Sequence, residues 1–290
     1  MSATQKRAAL KAAFDSGELV IAPGVYDGIS AKVADSMGFT ALYMTGYGVV
    51  ASHLGLPDAG IATYNDMVGR VECIAGITAT PLIADADTGY GGLLNVQHTV
   101  RGYEAAGACA IQIEDQEFPK KCGHMLGRRV VPVEDMVGKI RVAVDARSDR
   151  NFLIIARTDA RTSLGLDEAL RRAEAYARAG ADLLFVESPE SVAEMERIGS
   201  TLSLPLVANM VEGGRTPVLP ADELRRIGYR LAIFPALGFL SSAAAMRGAF
   251  TELMQKRSSA GLKQPLLDFQ AMSAMMGFGD IAEFDRKYRD

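Results

Sequence analysis

The chain has 290 residues, of which 49% are apolar and 7% aromatic, and its formal net charge at pH 7 is −4. This length exceeds that of most single domains but is typical of barrels built from alternating strands and helices. The negative charge and the scattered Lys and Arg residues argue against a nucleic-acid partner. No apolar run approaches the roughly 20 residues that cross a bilayer, so we expect no association with a membrane.

The repeated element along the chain is a short aliphatic run followed by a polar residue, a loop and an amphipathic helix. The predicted strands are Leu19–Ala22, Ala41–Met44, Leu82–Ala84, Ala110–Ile113, Leu153–Ala156, Leu183–Val186, Leu206–Ala208 and Leu231–Phe234. The predicted helices are Gly28–Met37, Tyr64–Ala75, Asn95–Ala106, Val133–Ala146, Asp167–Ala179, Val192–Leu202, Ala221–Ile227 and Gly238–Ser258. Strands that are apolar throughout indicate a parallel sheet covered by helices. Eight such units predict an α/β protein with a (β/α)8 barrel, preceded by one N-terminal helix.

The domain organisation follows from the absence of a linker rich in Pro, Gly or Ser, so residues 1–290 are predicted to form a single barrel domain. Residues 259–290 are predicted to form a helical arm. Because Phe269, Met272 and Phe278 are too apolar to face water alone, we expect this arm to pack on a neighbouring subunit. An open doubly wound sheet is the alternative fold. It is disfavoured because Pro23-Gly24-Val25-Tyr26-Asp27 after the first strand is not a phosphate-binding fingerprint.

Cysteine usage and the N-terminus predict the compartment. The three cysteines at positions 73, 109 and 122 are too few and too scattered for a disulfide framework. The first residues lead into an amphipathic helix rather than into the apolar core of a signal peptide. We therefore expect a reduced, soluble protein in the cytoplasm.

Polar residues stand at the carboxyl ends of most predicted strands, where barrels of this kind hold their active sites. In chain order these residues are Tyr43, Thr45, Asp85, Asp87, Glu114, Arg157, Glu187 and Asn209. For any one of them the alternative is a solvated loop residue. The occurrence of the whole set at equivalent positions indicates an active site.

The carboxylates in this set predict a site for a hard cation. Asp85 and Asp87 are two residues apart, so both point to one side of a strand end and can share one ion. Glu114 and Asp58 complete the expected shell, through water, because Mg²⁺ retains several waters. Mn²⁺ is the alternative ion. Zn²⁺ is disfavoured because the three histidines show no ligand spacing and Cys122 has no cysteine partner near it.

Two elements are suited to a substrate carboxylate. Arg157 follows an aliphatic strand, where its planar guanidinium matches a carboxylate. An internal salt bridge with Glu187 or Asp159 is the alternative for Arg157, and both can hold at once. The run Thr45-Gly46-Tyr47-Gly48 places small residues where backbone N–H groups could approach a carboxylate closely.

The segment from Pro119 to Met125 carries a thiol, Cys122, among the cations Lys120 and Lys121 and the imidazole of His124. Nearby cations favour thiolate over thiol, so this cysteine can exchange a proton readily. A proton-shuttling thiol beside a hard-metal site indicates carbanion chemistry on a small acid. A Schiff-base aldolase that uses one of the two lysines is an alternative, but adjacent lysines in a glycine-containing loop are poorly desolvated.

The chain resembles the isocitrate lyase/phosphoenolpyruvate mutase superfamily over essentially its whole length. The matching segments are residues 23–27, 43–47, 56–58, 85–91, 113–116, 120–124, 156–160 and 209–214. Lys-Lys-Cys-Gly-His at 120–124 is typical of the carbon–carbon lyase branch and its hydrolase relatives, and members that process phosphonopyruvate lack the cysteine. The segment is similar to the 2,3-dimethylmalate lyase and petal death protein type. Members of the 2-methylisocitrate lyase type commonly carry arginine at the positions of Lys121 and Met125.

The resemblance implies retro-aldol cleavage of a 2-hydroxy dicarboxylic acid between C2 and C3, giving a 2-oxo acid such as pyruvate and a second carboxylic acid. Mg²⁺ held by Asp85 and Asp87 is implied to bind the C2 oxygen and its carboxylate. The backbone amides of residues 45–47 and Arg157 would also hold that carboxylate. Either Tyr43 or a carboxylate of the metal shell takes the proton of the C2 hydroxyl, and both alternatives stay open.

The resemblance assigns the remaining roles to residues near the thiol and at later strand ends. His124, Asn209 and Glu187 are implied to stabilise the departing enediolate, and Cys122 to protonate C3 as the general acid. The residues implied to contact the substrate further include Lys120, Gly123 and Pro235. The segment 120–124 is predicted to be a gate that closes over the substrate and excludes water. The family also implies a homotetramer, a dimer of dimers with exchanged helices.

Two other functions are retained as alternatives. The first is an oxaloacetate acetylhydrolase or decarboxylase, whose hydrolytic members carry a serine after strand eight where this chain has Phe234-Pro235-Ala236. The second is a non-catalytic oligomeric barrel.

Overall fold

The structure is a computed structural model that describes residues 1–123 and 125–289. Within these residues eight parallel strands close into a barrel, in which each strand pairs with the next and the last pairs with the first. The strands are β1 (Val20–Val25), β2 (Leu42–Met44), β3 (Leu82–Asp85), β4 (Ala110–Glu114), β5 (Leu153–Thr158), β6 (Leu183–Val186), β7 (Leu206–Asn209) and β8 (Tyr229–Phe234). The predicted (β/α)8 barrel is confirmed.

Helices alternate with the strands along the chain and continue after β8. They are α1 (Ala3–Asp15), α2 (Gly28–Asp35), α3 (Gly46–Leu54), α4 (Tyr64–Ile77), α5 (Leu93–Ala105), α6 (Val133–Ala146), α7 (Ala160–Leu164), α8 (Leu166–Arg178), α9 (Val192–Thr201), α10 (Ala221–Ile227), α11 (Leu237–Lys256), α12 (Phe269–Met275) and α13 (Phe278–Tyr288). The sequence analysis missed α3 and α7. Two glycines in the first turn of α3 lower its helix propensity, and α7 has only five residues. Among the described residues, no helix is long and apolar enough to span a bilayer.

Helix α1 lies against the barrel core. Leu10 and Phe14 of α1 belong to the same buried cluster as inward-facing residues of the strands. The ammonium group of Lys6 donates hydrogen bonds to the carbonyl oxygens of Ala75 and Thr78 at the end of α4, at 3.0 and 2.5 Å. Because these carbonyls end a helix, they attract a cation. Apolar burial and charge therefore together hold the N-terminal helix in place.

The chain divides into two compact units, Met1–Leu237 and Gly238–Asp290. The first unit contains the barrel, and the second contains most of α11 together with α12 and α13. Within the second unit large apolar side chains are exposed, among them Phe250 at 62%, Phe269 at 80% and Phe284 at 62%. Exposed apolar surface of this kind commonly marks a contact with another protein. A single domain with an arm from residue 259 stays a prediction.

Gly199 of α9 offers a test of the helical shell. A Cβ atom added there would lie 2.0 Å from the backbone oxygen of Ile227, at the end of α10. A backbone atom cannot swing aside, so we expect Gly199→Ala to lower the free energy of unfolding by about 2 kcal/mol or more. Gly69→Ala on α4 is the matched control, because a Cβ there has no neighbour within 4 Å. It should be neutral or stabilising by about 0.5–1 kcal/mol. Urea unfolding of the two variants measures the difference, and equal stabilities would contradict the expected clash.

Candidate active site

The acidic residues predicted for the metal lie together at the carboxyl ends of β3 and β4. Asp85 ends β3 and Glu114 ends β4, while Asp87 follows two residues after Asp85. All three are buried, with 7% or less of each residue exposed. Burial raises the pKa of Asp87 to about 6 and that of Glu114 well above its ordinary value. Buried carboxylates of this kind are stabilised in their charged form by a cation, so this cluster is suited to bind one.

Backbone strain accompanies these strand ends. In the described chain, the non-glycine residues with positive φ are Asp87, Tyr90, Ser188 and Arg257. The first two follow β3 and the third follows β6, next to Glu187. Strained backbone of this kind is frequent at functional sites, where the surrounding structure enforces it. Its position here supports the assignment of the strand ends as the site.

Lys120 lies inside the acidic cluster. Its Nζ atom is 2.5 Å from Oδ1 of Asp58 and 2.6 Å from Oδ1 of Asp87, and only 3% of the residue is exposed. Burial alone lowers the pKa of Lys120, but the carboxylates of Asp87 and Asp58 outweigh burial and raise that pKa well above its ordinary value. The amine is therefore protonated at neutral pH. A protonated amine is not a nucleophile, which argues against the Schiff-base alternative for this lysine.

Among the described residues, no three His, Cys, Asp or Glu side chains form a ready-made metal cage. In this structure Asp58 and Asp87 turn toward Lys120 instead. A Mg²⁺ site does not need such a cage, because Mg²⁺ is usually held by one or two carboxylates and several waters. Two carboxylate oxygens are suited to bind such an ion. The buried Oε1 of Glu114 has no hydrogen-bond partner, and Oδ2 of Asp85 lies beside Gly46, 2.6 Å from where a Cβ would be.

Arg157 makes internal ion pairs with three carboxylates. Its Nε and Nη2 atoms donate to the two carboxylate oxygens of Asp159 at 2.9 Å. Its Nη1 is 3.4 Å from Glu114, and its Nη2 is 3.5 Å from Glu187. Both internal pairs considered as alternatives are therefore present. The fork with Asp159 fixes the guanidinium plane, which orients Nη1 and Nη2 for a further carboxylate.

Asp159 connects Arg157 to the segment that follows the thiol. It also forms a buried ion pair with Arg128, which in turn donates from Nε to the backbone oxygen of Met125 at 3.1 Å. Behind it, Asp115 accepts the backbone N–H of Asp159 at 2.9 Å and the hydroxyl of Tyr176 at 2.7 Å. Asp159 was predicted only as a possible partner of Arg157, and Asp115, Arg128 and Tyr176 were not predicted. For Asp115 and Asp159 the signal in the sequence is an acidic residue one or two positions after a charged residue at a strand end.

The described part of the thiol-bearing segment, residues 119–123 and 125–127, lies over the strand ends. The backbone N–H of Cys122 donates to the backbone oxygen of Asp58 at 3.2 Å, and Ser188 Oγ donates to the backbone oxygen of Gly123 at 3.0 Å. A Cβ on Gly123 would be 2.4 Å from Nη2 of Arg157, so a side chain at this position would displace the guanidinium. The structure thus brings Lys120, Cys122 and Gly123 to the predicted site. His124 lies outside the described residues, and the predicted gating motion stays a prediction.

A hydrogen-bonded chain links Tyr43 to the acidic cluster. The Tyr43 hydroxyl donates to Oε1 of Gln112 at 2.9 Å, and Nε2 of Gln112 donates to Oδ1 of Asp85 at 3.3 Å. Burial and the charge of Asp85 raise the pKa of Tyr43 well above its ordinary value, so the phenol stays protonated. Gln112 was not predicted. Its signal is a polar residue in an aliphatic strand, two positions before Glu114 and on the same face.

The remaining predicted residues lie at the same end of the barrel. Thr45 caps α3, and its hydroxyl accepts the N–H of Gly48 at 3.4 Å, so Gly46 and Tyr47 belong to a helix N-terminus rather than to a loop. The first N–H groups of a helix attract anions, which suits the expected contact with a carboxylate. Asn209 donates to Oε2 of Glu187 at 3.1 Å.

Pro235 directly follows β8, and its backbone packs on Gly24 of β1: a Cβ at Gly24 would lie 2.4 Å from the Pro235 oxygen. This position is again the carboxyl end of a strand.

Comparison with known proteins identifies the family. The family model described as phosphoenolpyruvate phosphomutase matches residues 10–254. The 2,3-dimethylmalate lyase of Eubacterium barkeri is 49% identical over 271 residues, which cover 93% of this chain and 94% of that protein. The chain belongs to the isocitrate lyase/phosphoenolpyruvate mutase superfamily. The predicted resemblance is confirmed.

Other superfamily members are similar at the level of sequence and structure. The 2-methylisocitrate lyase of Aeropyrum pernix is 41% identical, covering 95% of this chain and 89% of that protein. A solved oxaloacetate acetylhydrolase, in complex with the inhibitor 3,3-difluorooxalacetate, has a TM-score of 0.90 and 36% identity, covering 99% and 97%. A solved phosphonopyruvate hydrolase, in complex with oxalate and Mg²⁺, has a TM-score of 0.89 and 31% identity, and both chains are covered in full.

Proposed function

We propose that this protein is a Mg²⁺-dependent carbon–carbon lyase that cleaves a 2-hydroxy dicarboxylic acid of the 2-alkylmalate or 2-methylisocitrate type. The products would be a 2-oxo acid such as pyruvate and a second carboxylic acid. One observation carries the proposal. The segment with Cys122 is hydrogen-bonded over a buried cluster of Asp85, Asp87 and Glu114, next to Arg157. A thiol-bearing segment, several buried carboxylates and a guanidinium are thus close together, which supports the roles of proton donor, cation ligands and carboxylate-binding group.

Mg²⁺ is the proposed cofactor, with Mn²⁺ as the alternative ion. Asp85 and Asp87 would hold it, with Glu114 and Asp58 reaching it through water. Three features support Mg²⁺ as the cofactor. The ligand atoms are all oxygens, the buried Oε1 of Glu114 has no hydrogen-bond partner, and the cluster has more carboxylates than cations. When bound, the ion stabilises negative charge on the C2 oxygen as a Lewis acid.

The chain's own residues orient the substrate and move its protons. The guanidinium of Arg157 and the first amides of α3 would bind the C1 carboxylate. Asn209 and Glu187, already hydrogen-bonded to each other, would hold the departing fragment together with His124. Lys120, Gly123 and Pro235 would line the same space. Tyr43 or a carboxylate of the acidic cluster would accept the proton of the C2 hydroxyl as the C2–C3 bond breaks. Cys122 would then donate its proton to C3 as the general acid, and the segment that carries it would exclude water.

A second candidate is hydrolysis of oxaloacetate, because a solved oxaloacetate acetylhydrolase has nearly the same fold. It is disfavoured because Pro235 follows β8, where hydrolytic members are expected to carry a serine, and proline offers no hydroxyl.

An assembly, a ligand class and a compartment are also proposed. The exposed aromatic side chains of the second unit support a homotetramer, a dimer of dimers in which helical arms are exchanged. The charge of −4 supports a small-molecule substrate rather than a nucleic acid. The cytoplasm is the proposed compartment, since the cysteines form no disulfide framework.

A substrate panel tests the proposed reaction. We expect 2,3-dimethylmalate, 2-methylisocitrate or another 2-alkylmalate to release pyruvate or a related 2-oxo acid in the presence of Mg²⁺, and EDTA to stop this release. Oxaloacetate should give neither oxalate nor acetate. Release of oxalate and acetate from oxaloacetate would instead establish the hydrolase. A protein that turns over none of these acids would support the non-catalytic alternative.

A further inference from the structure

The peptide group that joins Lys121 to Cys122 is hydrogen-bonded at both of its edges. Its carbonyl oxygen, which belongs to Lys121, accepts a hydrogen bond from Nε2 of Gln116 at 2.8 Å. Its N–H, which belongs to Cys122, donates to the backbone oxygen of Asp58 at 3.2 Å. A peptide group is planar, so fixing both edges fixes the orientation of the whole plane. This plane ends at the Cα atom of Cys122, which carries the thiol.

Gln116 makes a second hydrogen bond with Lys121. Its Oε1 accepts the backbone N–H of Lys121 at 3.0 Å, so one side-chain amide pairs with both backbone groups of a single residue. Two residues of neighbouring antiparallel strands exchange their hydrogen bonds in the same way. Because a backbone N–H only donates and a backbone oxygen only accepts, the pairing also determines which end of the amide is the oxygen. The contact involves no titratable group.

The side chain of Gln116 starts from a backbone that is itself held. Gln116 forms an antiparallel bridge with Val130, and the N–H of Glu117 donates to the backbone oxygen of Arg129 at 2.8 Å. These contacts close the base of the thiol-bearing segment. Only 2% of Gln116 is exposed, whereas Lys121 is exposed. The amide of Gln116 therefore reaches from the buried base of the segment to the residue before the thiol.

We propose that Gln116 is a positioning residue for Cys122, because its amide holds the residue before the thiol and thereby sets where the thiol lies over the strand ends. On the other side of the thiol, the backbone oxygen of Cys122 accepts the N–H of Met125 at 2.9 Å. A proton donor must lie within hydrogen-bonding reach of its acceptor, and a displacement of about 1 Å can lower a rate about a hundredfold. The inference rests on the proposed function, since that function gives Cys122 its role.

Amide hydrogen exchange at Lys121 tests the contact without turnover. Gln116→Met keeps the length of the side chain but offers neither hydrogen bond. Since Lys121 is exposed, water can bond to its backbone groups in the variant, so the barrel should still fold. We expect exchange at Lys121, measured by mass spectrometry with fragmentation, to become faster by about tenfold or more. Gln97→Met on α5 is the matched control and should leave exchange at Lys121 unchanged.

Steady-state kinetics test whether the contact positions the thiol. We expect Gln116→Met to lower kcat by roughly tenfold or more with little change in KM, because the proposed carboxylate contacts lie on other elements. In a Cys122→Ser background the same substitution should cause no further loss, because the thiol that the contact positions is then absent. A general loss of packing would lower the rate in both backgrounds. Gln116→Asn keeps the amide but is shorter by one methylene, so it should reproduce these effects, and it decides if Gln116→Met does not fold.

Three results would overturn the inference. The first is exchange at Lys121 in the wild-type protein that is as fast as in an unfolded peptide. The second is a folded Gln116 variant with unchanged exchange or unchanged kcat. The third is an equal loss of rate in the wild-type and Cys122→Ser backgrounds.

The outcome is separable from that of the proposed function. If exchange at Lys121 depends on Gln116 but the wild-type protein cleaves no diacid, the placement of the segment by Gln116 stands and the lyase proposal falls. If cleavage occurs but kcat does not depend on Gln116, the lyase stands and the role of Gln116 falls.

Discussion

Replacing Asp85 by asparagine should abolish Mg²⁺-dependent cleavage. Asp85 ends β3, and its Oδ1 is held by Gln112 and by the backbone of Asp87, which leaves Oδ2 to bind a cation. Asparagine keeps the shape of the side chain but has no charge. Loss of a direct ligand should weaken Mg²⁺ binding on the order of a hundredfold or more. Burial already raises the pKa of Asp85, so removing this charge should not destabilise the fold.

Two measurements check this expectation. Calorimetric titration with Mg²⁺ reports binding, and the rate of 2-oxo acid release as a function of Mg²⁺ concentration reports use of the ion. Asp145→Asn is the matched control, because Asp145 is exposed on α6 and should change neither quantity. Turnover by Asp85→Asn that still depends on Mg²⁺ with the wild-type affinity would exclude Asp85 as a direct ligand.

Cys122→Ser is expected to have the second large effect, a fall in turnover on the order of a hundredfold or more. Serine matches the size of cysteine, but its hydroxyl is a far weaker acid than a thiol near cations. The hydrogen bond from the backbone N–H of residue 122 to Asp58 does not involve the side chain. The thiol-bearing segment should therefore keep its position over the strand ends in this variant. Substrate affinity should therefore change little while the rate falls.

The other two cysteines provide the comparison for this variant. Cys73→Ser is the matched control, because Cys73 is exposed on α4 and should leave the rate unchanged. Cys109 is buried, and burial raises the pKa of its thiol, so it should not react with iodoacetamide in the folded protein. A wild-type rate in Cys122→Ser would remove the thiol from the mechanism.

The fold could be predicted because each barrel strand is an aliphatic run, and such a run predicts a buried strand at every position in the barrel. Helix α3 could not be predicted, because its first turn contains two glycines. Its stability comes from the Thr45 cap and from packing. The same limit applies to the site. Charged residues at strand ends were predicted, because sequence order places them there. Most of their partners were not, apart from the two acidic residues named for Arg157.

Pairing depends on three-dimensional distances that the sequence does not contain. Lys120 was predicted to contact the substrate, and the structure shows its ammonium between Asp58 and Asp87. Arg157 was predicted with two alternative partners, and it has both in addition to Glu114. Gln112 was not predicted because a neutral residue inside a strand carries no charge signal. Its importance comes from the groups on either side of it.

Asp159 has a consequence for how kinetic data on this site can be interpreted. Its one carboxylate is shared by Arg157, from the end of β5, and by Arg128, which follows the thiol-bearing segment. Replacing any member of this triad changes the electrostatic balance of the other two, so single-mutant rate losses should not sum to the loss of the multiple mutant. The proposed binding of a ligand by Arg157 and the position of the thiol-bearing segment would therefore be thermodynamically coupled through one anion, and double-mutant cycles would apportion the effect between them.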